Sequence, residues 1–91
     1  MRTENEVIKD FEMLGYCIEK NRKKFTDSEN SIVLMKDFKY LEDDEKLTKE
    51  IWICLKSKTY QCCETFYYTP LEITMQEHRL LTELFTIWGW L

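Results

Sequence analysis

One histidine, His78, and four cysteines, Cys17, Cys54, Cys62 and Cys63, are the side chains available for nucleophilic or acid–base chemistry of the usual kind. Nucleophilic catalysis needs a nucleophile, a base and an orienting group within mutual reach. His78 falls near the start of a helical segment, beside its apolar face, and no spacing couples it to a thiol. It reads as a helix-surface or partly packed residue, so no catalytic residue is assigned and no enzyme activity is expected. The cysteines make no C-x-x-C pair: Cys62 and Cys63 are adjacent, and Cys54 precedes Cys62 by eight positions. A lone histidine does not complete the usual zinc patterns, so neither a metal nor another cofactor is expected. The thiols are read as strand packing, where free cysteine behaves as a small hydrophobe.

Two charged runs remain. Glu42-Asp43-Asp44-Glu45 lacks the D-x-[DN]-x-[DN]-G spacing of a calcium loop and reads as a solvated turn between strands. Arg22-Lys23-Lys24, followed by Phe25, is the basic run, with Lys20 just before it. Cations beside an aromatic ring could hold a nucleic-acid backbone and stack a base, which makes a small nucleic-acid-binding regulator the alternative reading. A net charge of −4 argues against phosphate binding as the main role, because that usually needs a basic excess. With two glycines, both used as helix stops, no glycine-rich phosphate loop exists.

The elements that must position these residues are punctuated clearly. Thr3 and Glu6 form a capping-box pattern, Val7, Ile8, Phe11 and Leu14 recur at helical spacing, and Gly15 follows. The pattern predicts a helix over about residues 4–14. Tyr16 to Lys20 reads as a strand with Tyr16 and Ile18 on one face, and Asn21 to Asn30 as a polar connection. Ser31 to Tyr40 is a longer strand, with Ile32, Leu34, Phe38 and Tyr40 on one face and Val33 and Met35 on the other. Leu41 to Lys49 reads as a solvated connection. Glu50 to Lys56 alternates Ile51, Ile53 and Leu55 against Trp52, Cys54 and Lys56, and Ser57-Lys58 supply a turn. Thr59 to Tyr68 is rich in residues that suit a pleated surface, and Pro70 ends it by removing a ladder donor. Thr74 and Glu77 repeat the capping box. Leu80, Leu81, Leu84, Phe85, Ile87 and Trp88 form a wide helical face, Gly89 stops the helix, and Trp90 is placed to fold back in a Schellman cap.

This order predicts a two-layer α+β domain over residues 1–91: N-terminal helix, three- to four-stranded antiparallel meander, C-terminal helix. Ninety-one residues, 44% hydrophobic and 33% charged, suit one modest core. No stretch reaches the ~18 to 20 apolar residues that span a bilayer. The polar start Met1-Arg2-Thr3-Glu4-Asn5-Glu6 does not read as a signal peptide. A cytoplasmic protein with free thiols is therefore expected.

Thirteen aromatic residues in this length are more than one face of a sheet needs. Both helices are expected on one face, over Phe38, Tyr40, Ile51, Ile53, Phe66 and Tyr68. The opposite face carries Val33, Met35, Trp52, Cys54, Cys63 and Tyr67. If open, it is an apolar patch of the kind used for a partner or a homodimer; a curled sheet or a loop would instead bury it. Met35, Trp52 and Tyr67, with the acidic turn Glu42, Asp43, Asp44 and Glu45, are the candidate partner-binding residues. The expected role is a non-enzymatic protein-binding module.

The stretch from Ile73 to His78, continuing Leu80-Leu81-Thr82-Glu83-Leu84-Phe85 and ending Trp88-Gly89-Trp90-Leu91, resembles the tails of short uncharacterised phage and prophage proteins of Gram-positive bacteria. The likeness covers about a quarter of the chain and brings no catalytic residue with it. It implies an accessory product made inside an infected bacterium. Such a product is expected to bind, and inhibit or modulate, a host or defence protein such as a CRISPR nuclease.

Overall fold

The computed structural model describes residues 2–20, 31–40, 46–65 and 69–91. Its elements run α1 (Glu4–Met13), β1 (Cys17–Lys20), β2 (Ser31–Tyr40), β3 (Lys46–Cys54), β4 (Thr59–Glu64) and α2 (Met75–Ile87). The strands form one antiparallel sheet in the order β1-β2-β3-β4. The α+β meander expected from the sequence is the observed architecture.

Both helices start and stop by the same local chemistry. At α1 the Thr3 hydroxyl accepts from the Glu6 amide at 3.3 Å while the Glu6 carboxylate accepts from the Thr3 amide at 3.1 Å. At α2 Thr74 and Glu77 repeat the exchange at 3.1 and 2.9 Å. Each pair satisfies two backbone donors that the first helical turn leaves over. Gly15 and Gly89 take left-handed φ of +99° and +79°. The chain then turns back: the Tyr16 amide donates to the Phe11 carbonyl at 3.1 Å, and the Trp90 amide to the Phe85 carbonyl at 2.8 Å. Both are Schellman caps closed by an aromatic pair, Phe11–Tyr16 edge to face at 5.6 Å and Phe85–Trp90 stacked at 5.1 Å.

The helices lie side by side and antiparallel. The Trp88 indole N–H, at the end of α2, donates to Glu4 at the start of α1 at 2.6 Å, and Arg2 joins Asp10 of α1 to Glu83 of α2. Val7 and Phe11 from α1, with Leu80, Leu81, Leu84 and Phe85 from α2, bury Ile32, Leu34, Ile51, Ile53 and Cys62 of the sheet. Both helices therefore cover one sheet face.

Several local expectations need correction. β3 begins at Lys46, so Lys46 to Lys49 belong to the strand and not to a solvated connection. A bulge between Asp37 and Lys39 interrupts the β2–β3 register, so the simple alternation assumed through Tyr40 stops at Asp37. The β3–β4 turn spans Leu55 to Lys58, and Lys58 takes a left-handed φ of 57° there. β4 ends at Glu64, and Pro70 is not its terminator. Thr69 to Leu71 instead return along the outer edge of β4. The Glu64 amide donates to the Thr69 carbonyl and the Leu71 amide to the Cys62 carbonyl, both at 3.0 Å, with Pro70 opposite Cys63 between them. The N–H that Pro70 lacks falls between those two bonds, so neither of them requires it.

Candidate functional site

The partner-binding residues expected from the sequence divide in two. Tyr67, Glu42, Asp43, Asp44 and Glu45 lie outside the described residues, as do Arg22, Lys23, Lys24 and Phe25 of the nucleic-acid alternative. Trp52 and Met35 are described, and they do face the side of the sheet away from the helices. Among the described residues of that side, Trp52 is buried. Val33, Trp52 and Cys63 form a second buried cluster, with Met35 partly buried against it. Trp52 is 7% exposed, and its indole N–H donates to the buried Glu50 carboxylate at 3.0 Å. An anchor for a partner needs surface to give up on binding, and Trp52 has little left.

The inner face holds a polar cluster centred on Glu77. This residue is 1% exposed. Lys49 donates to Oε1 at 2.7 Å, the Tyr16 hydroxyl donates to Oε2, the Thr74 amide donates to Oε1 at 2.9 Å, and the Lys36 ammonium stands 3.7 Å from Oε2. Burial pushes the Glu77 carboxyl up, but the bonds from Lys49, Tyr16 and Thr74 outweigh it and hold the group below the ordinary carboxylate value. Burial, and then the bond to Glu77, raises the Tyr16 phenol. A carboxylate held ionised by this many donors is a poor general base. The cluster is a strut that ties the sheet, the α1 cap and the first turn of α2 together. Period-two spacing from Ile51 and Ile53 puts Lys49 on the inner face, a signal hidden when the residue is assigned to a loop.

The thiols and His78 do not converge on one cleft. Burial raises the Cys62 thiol to about 11. Cys54 is lowered by hydrogen bonds from the Ser57 side chain and backbone, at the head of the β3–β4 turn. His78 is exposed on α2, in a shallow groove with Met75, Arg79 and Thr82. Among the described residues, no group of three or more His, Cys, Asp or Glu is placed to hold a metal ion. No described helix is long and apolar enough to cross a membrane.

The flank where α1 runs beside β1 offers a different kind of surface. A groove of about 480 Å³ is lined by Glu4, Ile8 and Glu12 from one face of α1 and by Tyr16, Cys17 and Ile18 from the strand side. Ile8 and Ile18 are half-buried, Glu12 and Cys17 exposed. β1 is the end strand of the sheet, and no described strand pairs with its outer edge. The opposite end is treated differently: residues 69–71 cover the edge of β4 at Cys62 to Glu64. Sequence reasoning missed this flank because it depends on which strand ends the sheet.

The chain matches no known protein-family model, no curated protein and no solved structure.

Proposed function

We propose that this chain is a protein-binding module that uses the α1–β1 flank as its contact surface. The observation that carries the reading is the groove between α1 and β1, floored by Ile8 and Ile18, at the end of the sheet where no strand among the described residues lies beyond β1. Folded proteins commonly cover or blunt such edges, because the backbone groups along them pair readily with another chain. Recognition by strand addition uses the same property: main-chain bonds supply affinity, and neighbouring pockets supply selectivity. The resemblance of the C-terminal helix and its Gly-Trp stop supports a setting inside an infected Gram-positive bacterium. In that setting the partner is a host or defence protein, such as a CRISPR nuclease, that this accessory product inhibits or modulates.

A photo-crosslinking side chain placed at Glu12, on the flank, or at Gln61, on β4, separates this from a surface elsewhere. In lysate of a Gram-positive bacterium, position 12 is expected to give a discrete protein adduct and position 61 none. No adduct at position 12, or equal adducts at both, contradicts the reading.

A further inference from the structure

The solvent side of the helix pair carries a different surface, away from the sheet. Two shallow hollows, of about 590 and 300 Å³, adjoin where the end of α1 passes the start of α2, and Gln76 and Arg79 line both. Met75 borders one and Met13 the other, and these side chains are 83% and 84% exposed. Methionine is unbranched and polarizable, so it adapts to whatever apolar shape is set against it.

Charge along this seam is unevenly spent. Asp10 and Glu83, the carboxylates lining the hollows, both pair with Arg2. Arg79 is exposed and makes no hydrogen bond or ion pair with any described residue. Its forked guanidinium donors stand open beside both methionines, and a carboxylate is the group that fits them. The backbone groups of α1 and α2 bond along the helices and at their caps. An incoming segment therefore finds little main chain to pair with and must satisfy its own, as a helix does.

We infer that the α1–α2 seam around Arg79 is a second protein-contact surface, whose occupant is an acidic amphipathic helix of another protein. Apolar side chains of that helix pack on Met13 and Met75, and a carboxylate on the same face takes the Arg79 fork. This surface is separate from the α1–β1 flank and stands without it.

The test uses two fluorescent peptides of about sixteen residues, long enough for a helix, with one leucine stripe and either Glu or Lys beside it. Anisotropy is expected to show binding of the Glu peptide alone. Arg79→Glu should weaken that binding about three- to tenfold, the range for reversing one exposed ion pair, and Arg79→Gln by less. Met13→Ser combined with Met75→Ser should weaken it while keeping the preference for Glu. Lys56→Glu, in the β3–β4 turn, alters the net charge by as much as Arg79→Glu and should leave binding unchanged. These positions are all exposed, so circular dichroism should find the variants folded. Equal binding of both peptides, binding of neither, or equal weakening by Arg79→Glu and Lys56→Glu overturns the inference. So does a peptide-free dimer in sedimentation whose Met13 and Met75 resist peroxide oxidation.

Discussion

The Lys49 ammonium donates to Glu77 Oε1 at 2.7 Å in the interior, joining the middle of β3 to the first turn of α2. The same carboxylate accepts from Tyr16, which closes the C-terminal cap of α1. One buried anion thus fixes three elements, and β1 follows Tyr16 directly. The position of α1 over the edge strand therefore depends on this cluster.

Removing Glu77 should cost far more than removing its capping partner. Glu77→Ala leaves Lys49 buried without its nearest carboxylate and is expected to destabilise by about 3–5 kcal/mol. Thr74→Ala loses a helix cap and should cost about 1 kcal/mol. Urea unfolding of the two variants compares them directly; similar costs would mean that Glu77 acts only as a cap.

Stability should fall in acid with a definite sign. The folded Glu77 pKa is depressed, so its contribution is complete above the unfolded carboxylate value of 4.5 and is lost as pH falls through the folded value. Thermal melts of the wild type are expected to decline below pH 4.5, and Glu77→Gln should show a shallower decline over the same range. Parallel curves for both would assign the acid loss to other groups.

Trp52→Ala should act on stability, not on partner recognition. The side chain is buried with Val33 and Cys63, and truncating a buried Trp costs about 3–5 kcal/mol. Denaturant titration measures the loss. A folded variant of unchanged stability that no longer gives the protein adduct at position 12 would return the contact surface to this sheet face.

The cysteines should separate by reactivity. Hydrogen bonds from Ser57 lower the Cys54 thiol, whereas burial raises Cys62 to about 11. Brief iodoacetamide treatment near neutral pH, read by mass spectrometry, should label Cys54 well before Cys62. Ser57→Ala should slow Cys54; labelling of Cys62 first would contradict the packing described.

Features written in short stretches of sequence were legible, and those set by distant partners were not. Thr3 with Glu6, Thr74 with Glu77, and the stops at Gly15 and Gly89 act within one or two turns, so spacing alone reveals them. The alternation of Ile51 and Trp52 likewise assigned their faces. Lys49 sits among charged residues that resemble a solvated loop, and only its buried partner Glu77 shows it to be interior strand. The burial of Trp52 depends on how the far sheet face closes, which alternation does not encode. The α1–β1 flank depends on the sheet order, because a terminal strand and a central one can share the same four-residue pattern. Met35 and Trp52 lie on the sheet face away from the helices, as alternation placed them, and Trp52 is buried there with Val33 and Cys63.

Amide hydrogen exchange of the chain alone and with the protein captured at position 12 tests the flank as a contact surface most directly, since a bound protein slows exchange where it covers the backbone. The account predicts added protection within Cys17 to Lys20, with none in β4. Protection confined to β4 or α2, or no change while the partner is bound, would contradict it.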